Sequence, residues 1–152
     1  MANTQAMTTS FMEQLLTGTH NFTPSTGDTF KAALYLASAT VNASTTAYSA
    51  TGEVSGTNYS AGGVSVTNAT APASTNTSST AGTAYWTPSA SITYTNVTLT
   101  TAFDAVLIYN SSKSDKAVSV HTFGSQTVTA GTFTLTMPSN TTSTALLRLA
   151  TT

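Results

Sequence analysis

Charge is what this chain lacks. Only 6% of its residues are Asp, Glu, Lys or Arg, against about a quarter in an ordinary soluble domain. The cations are Lys31, Lys113, Lys116 and Arg148, too few and too scattered to neutralise a phosphate backbone, so no nucleic-acid partner is expected. The acids Glu13, Asp28, Glu53, Asp104 and Asp115 are equally dispersed and offer neither a carboxylate dyad nor a calcium loop. Cysteine is absent, which excludes a disulfide scaffold and any Cys-based metal or redox site. No apolar run approaches a transmembrane helix, so no membrane partner is expected. Residues 1–10 carry neither a positive charge nor an apolar core, and are not expected to be a secretory signal. The polypeptide reads as a product of cytosolic translation.

Motifs of catalysis are missing too. His20 and His121 lie far apart, and neither has an acid or a second His at metal-ligand spacing. Ser is abundant, but no Gly-x-Ser-x-Gly elbow occurs. Gly62-Gly63 is followed by no Lys-Ser/Thr and is no phosphate loop. The expectation is a protein with no enzymatic activity, no cofactor and no metal.

What is present is hydroxyl. Ser and Thr make up more than a third of the 152 residues. The surface must therefore be built from hydroxyls, amides and small apolar groups. A net charge of −1 gives little repulsion between copies. Such a skin suits a durable part that packs against copies of itself or against a larger assembly.

Along the chain, residues 7–17 are the one credible helix. Met7, Phe11, Leu15 and Leu16 fall on a stripe with Met12 at its edge, Ser10 and Glu13 fit a capping box, and Gly18 is placed to end it. So short a helix must rest on something, either the end of its own β core or a neighbouring molecule. A turn-rich connection over 20–28 leads to a first strand over 29–37, where Phe30, Ala32, Leu34 and Leu36 alternate toward one face. Residues 38–53 read as a long polar loop with a short strand near Tyr48. Val64 and Val66 mark a half-buried strand. Residues 68–83 hold no large apolar side chain and read as an exposed loop or a surface strand. Separate short strands are expected at 91–100, 103–109, 117–123, 126–128, 132–137 and 144–149, with a hydrophilic turn at 110–116. Seven to nine short strands punctuated by turns predict a mainly β fold, an antiparallel β-sandwich of jelly-roll or immunoglobulin-like type, with one short N-terminal helix. Residues 1–23 form an N-terminal segment and 24–152 a single sandwich domain.

Eight of the nine asparagines stand in Asn-x-Ser/Thr triplets, at 21, 42, 58, 68, 76, 96, 110 and 140. With no leader to support glycosylation, shared turn chemistry is the preferred explanation, Asn side chains bonding nearby backbone. Tyr48, Tyr59, Tyr85, Trp86 and Tyr94 could lie in the core or form a platform that stacks on sugars.

The stretch Ser10-Phe11-Met12-Glu13-Gln14-Leu15-Leu16, the strand 28–35, the segment Gly52-Glu53-Val54-Ser55-Gly56-Thr57-Asn58-Tyr59-Ser60-Ala61-Gly62-Gly63 and the hairpin Leu107-Ile108-Tyr109-Asn110-Ser111-Ser112-Lys113 resemble, in the same order, small structural virion proteins of tailed bacteriophages. The resemblance covers most of residues 10–135 and concerns assembly motifs. It implies a capsid decoration or cement protein on the capsid exterior, made in the host cytoplasm. Its partners would be copies of itself, as a trimer or higher oligomer, and the major capsid protein. A tail-fibre or baseplate component binding host glycan is the alternative. The residues expected to make contact are Phe11 and Leu15 on the helix stripe, and the loop tips near Tyr59 and Trp86.

Overall fold

The structure, a computed structural model, describes residues 2–75 and 81–151. The fold is mainly β, with two antiparallel sheets and one short helix near the N-terminus. The large sheet runs in the order β1 (Ala6–Met7), β7 (Lys116–Leu135), β6 (Ile92–Asn110), β2 (Phe30–Leu36), β3 (Val64–Ser65). The small sheet has the order β4 (Ala73–Thr75), β5 (Thr83–Trp86), β8 (Leu147–Ala150). Helix α1 (Thr9–Leu16) packs on β7.

β2 lies between β6 and β3. Its register with β6 pairs Phe30 with Asn110 and Leu34 with Val106, while its other edge pairs Ala32 with Val64. Phe30, Ala32 and Leu34 join the main core, as their alternation predicts, and Ala33 and Tyr35 on the opposite face join a second one. That face is covered by the 38–50 loop, which lays Val41, Ala39 and Tyr48 against Tyr109, Leu107 and Ala117. The strand is buried on both sides because a polar-looking loop supplies the second cover.

The small sheet closes the sandwich over the main core. Trp86 and Leu147 are cross-strand partners, and both belong to that core. Phe22 stacks on Phe30 at 4.4 Å between ring centres and meets Trp86 edge-on at 4.8 Å. Such geometry adds about 0.5–1.5 kcal/mol per pair beyond area burial. The indole Nε1 donates to Asn68 Oδ1 and to the Thr70 carbonyl, so the ring's polar atom is satisfied inside the fold.

One expectation needs correction. Five of the segments read as separate strands, from 91–100 to 132–137, are two, β6 with 19 residues and β7 with 20. Gly124 lies within β7. Register shifts between Tyr94 and Val97, Leu99 and Phe103, and Phe103 and Ala105 keep the pair continuous. Asn96 and Ala130 hold positive φ of 53° and 46°, as bulge residues do. The extra residue near Asn96 changes the alternation phase, so Ile92 and Tyr94 before it and Val97 and Leu99 after it all face inward. Gaps in a strict period-2 pattern read as strand ends; here they are bulges. The last strand is shorter than expected, Leu147–Ala150, and 68–83 contributes β4, with its residues 76–80, Asn76 among them, outside the described residues.

The helix is trimmed at its start. Met7 belongs to β1, paired with Ser119. The N-cap is Thr8, whose hydroxyl accepts from the Phe11 N–H, not Ser10 with Glu13. Thr8 wins because its own N–H and hydroxyl are also engaged by the Val118 carbonyl on β7. At the other end Gly18, at φ +68°, donates to Leu15 O and Thr19 donates to Gln14 O, the paired bonds of a Schellman motif. The N-terminal segment is stitched into the sandwich: Asn3 Nδ2 donates to Asp104 Oδ1 at 2.6 Å and Asn3 Oδ1 accepts from Val41 N.

Gly63 stands where β3 meets β2, at φ +69°. A Cβ there would overlap the Ala32 carbonyl and approach Ala33 Cα to 2.7 Å. Gly63→Ala is expected to lower unfolding free energy by about 3 kcal/mol or more; a urea midpoint unchanged from the parent would contradict this packing.

Candidate interaction surface

An apolar concavity opens between α1 and the small sheet. It is a groove of about 320 Å³ whose walls include Phe11, Leu15, Tyr85, Trp86 and Leu149, with His20 at one side. A second cleft of about 450 Å³ adjoins it, between the edge strand β1 and β8, and shares Met7 and Leu147. No Asp or Glu lines either cavity, and Arg148 is the one permanently charged residue there.

The expected contact residues separate on the structure. Phe11 is 2% exposed and Trp86 3% exposed, so both serve the core. Trp86 sits on a strand, not at a loop tip. Leu15 is half-buried and forms the groove wall. Tyr59 is half-buried too, and its hydroxyl is occupied within the fold. Among the described residues, the large apolar side chains most open to solvent are Leu16 at 90%, with Met12 and Leu149 each at 44%. Met12 and Leu16 stand four residues apart on α1, next to Leu15 around the helix. Their exposure was not legible in the stripe, because Phe11 and Leu16, five residues apart, do not share one face.

Three polar clusters tie the loops to the sheets. Glu53 accepts from Tyr48 OH at 2.6 Å, Tyr59 OH at 2.8 Å and Gly62 N at 2.8 Å. Tyr59 OH also accepts from Leu34 N, and Tyr109 OH donates to Gly62 O. Burial, and then the Glu53 carboxylate, holds the Tyr48 and Tyr59 hydroxyls far into the neutral form, and burial pushes Tyr109 up to about 12. This carboxylate organises the 48–63 loop.

In the second cluster Asn110 Nδ2 donates to Asp28 Oδ2 at 2.7 Å and to His20 Nδ1 at 2.9 Å. Since Nδ1 accepts, His20 Nε2 donates to Gln14 Oε1 at 2.7 Å. Burial lowers the His20 pKa against the pull of Asp28. Lys113 pairs with Asp28 at 3.7 Å. In the third, Ser119 Oγ and His121 Nε2 lie 2.9 Å apart on β7. Ser119 is itself buried, and burial pushes His121 down to about 4. Both residues also line the second cleft. No group of three His, Asp or Glu able to hold a metal occurs among the described residues.

The Asn-x-Ser/Thr triplets have a physical role. Asn21 Oδ1 accepts from Thr23 N, Asn42 Oδ1 from Ser44 N and Asn110 Oδ1 from Ser112 N. Each is an Asx turn closed on the Ser or Thr of its own triplet. Asn110 is fully buried.

Two predictions follow from the buried groups. Glu53→Gln puts an amide N–H₂ against donors and is expected to lower stability by about 1–3 kcal/mol, with faster proteolysis within 48–63; an unchanged melting temperature and digestion pattern would refute this role. Both histidines hold fewer protons folded than unfolded below about pH 6.5. Their contribution is complete above that pH and is lost as pH falls, for His121 down to about 4. Urea midpoints should therefore drop between pH 7 and pH 5, and less steeply in His121→Gln; identical slopes would count against the burial of neutral His121. Comparison with protein-family models, curated proteins and solved structures found no match for the chain.

Proposed function

We propose that the chain is a non-enzymatic structural component of a virion. In this reading it is a capsid decoration protein, present in many copies on the capsid exterior, that bridges and stabilises neighbouring subunits of the major capsid protein. The observation that carries the reading is the pairing of a nearly uncharged sequence with an apolar groove and with exposed apolar side chains, Met12 and Leu16 on α1 and Leu149 at the groove. Exposed apolar surface that gathers into a patch marks a contact site. The resemblance of residues 10–135 to virion proteins of tailed phages supplies the setting.

The mechanism is additive burial. Each contact site contributes about 25 cal/mol per Å² of apolar surface removed from water. Repetition over a shell multiplies modest terms into mechanical strength. With few charges to desolvate, the contact loses little to ion hydration and is nearly insensitive to salt. The glycan-binding alternative leans on an accessible aromatic platform, and Trp86, its leading residue, is spent in the core.

Quantitative mass spectrometry of purified particles is expected to find the chain at a stoichiometry comparable to the major capsid protein, and retained after washing in high salt. A copy number of about a dozen or fewer, as expected of a symmetric tail, would overturn the capsid assignment.

A further inference from the structure

The cleft between β1 and β8 holds a positive charge that nothing in the chain neutralises. Arg148 lines it, has no ion pair among the described residues, and meets no Asp or Glu in the cleft wall. One bond fixes its guanidinium, Nη1 to the Ser143 carbonyl at 2.7 Å, and the remaining donors are free. His121 brings a further donor to the same wall. Ser119 is 1% exposed, and the partner of its hydroxyl among the described residues is His121 Nε2 at 2.9 Å. A buried hydroxyl has to place its proton on an acceptor, so Nε2 accepts and the ring proton sits on Nδ1. Nδ1 has no partner within the chain among the described residues. Burial keeps this ring neutral at pH 7, which leaves Arg148 as the whole charge of the cleft. Part of the wall is apolar, with Met7, Leu146 and Leu147.

We propose that this cleft binds a small organic monocarboxylate, with its carboxylate on the Arg148 guanidinium and the His121 Nδ1–H, and its hydrocarbon body against Met7, Leu146 and Leu147. A planar guanidinium matches the two oxygens of a carboxylate. One uncompensated positive charge suits one negative charge. A phosphate dianion or a dicarboxylate would bring a second charge to a wall with no further cation to meet it. The apolar part of the wall favours an acid with a hydrocarbon chain over a bare anion. Ser119 positions the ring by holding the proton on Nδ1. A cleft of about 450 Å³ is roomy enough for a short-chain acid. The site is complete within one chain, so it does not depend on the virion reading.

The test is a titration of the purified full chain with hexanoate at pH 7, read from the histidine imidazole signals by nuclear magnetic resonance. The His121 signals are expected to shift saturably. Hexanamide, nearly the same shape and uncharged, should bind at least about tenfold more weakly, and inorganic phosphate likewise. Arg148→Gln should weaken hexanoate binding at least about tenfold and keep the parent melting temperature, because Arg148 is exposed. The hexanamide comparison uses the unaltered chain, so it decides the matter even where the variant folds poorly. A His121 signal that never moves overturns the inference, as does a shift confined to His20 at the apolar groove. Hexanamide or phosphate binding as tightly as hexanoate overturns it too, as does a folded Arg148→Gln that binds like the parent. A chain that binds hexanoate but is missing from particles would defeat the decoration role and leave this site standing; a chain at capsid stoichiometry that ignores hexanoate would do the reverse.

Discussion

The pairing of β6 with β7 is the constraint on which the rest depends. It joins Asn110 to Lys116 at one end and Ile92 to Leu135 at the other, and every other part of the large sheet is attached to it. β2 is laid along the inner half of β6, β1 along β7, and α1 is capped by a threonine bonded to the Val118 carbonyl. A straight ladder of this length would leave half its residues in solvent. The bulges near Asn96, 100–102, 123–125 and Ala130 resolve this by bending the ribbon and resetting which side chains face inward. Tyr94, near the start of β6, thereby reaches β2 and donates its hydroxyl to the Ala32 carbonyl.

A protein so poor in charge has few ion pairs with which to fix its loops, and Lys113–Asp28 is the one ion pair among the described residues. Hydroxyl and amide groups take over. Asx turns shape 21–23, 42–44 and 110–112, while one carboxylate, Glu53, gathers two tyrosine hydroxyls and a glycine N–H. Neutral hydrogen bonds are each worth about 1 kcal/mol net, but unmaking one inside the fold costs more. The loops are consequently held by satisfaction of buried groups, and the surface is left nearly neutral.

The same economy shapes the contact face. A short helix is marginal alone, and α1 is held by Phe11 on the core and by caps at both ends. What it does not bury, Met12 and Leu16, is presented outward in a fixed geometry beside the groove. A rigid element with an apolar outer stripe loses little conformational entropy on docking.

By itself the sequence determined the class of fold and the kind of chemistry. Alternation in 30–36 and 117–120, the glycine after Leu16 and the scarcity of charge predict antiparallel sheets, a short helix ending at its Schellman glycine, and a neutral surface, because these follow from local periods and composition. The continuity of β6 and β7 was decided only in three dimensions, since a bulge and a strand end leave the same break in alternation. So was the placing of Trp86 and Phe11 in the core and of Leu16 outside it. An apolar residue's exposure depends on what packs across from it, and the partner of Trp86, Leu147, lies sixty-one residues further along the chain.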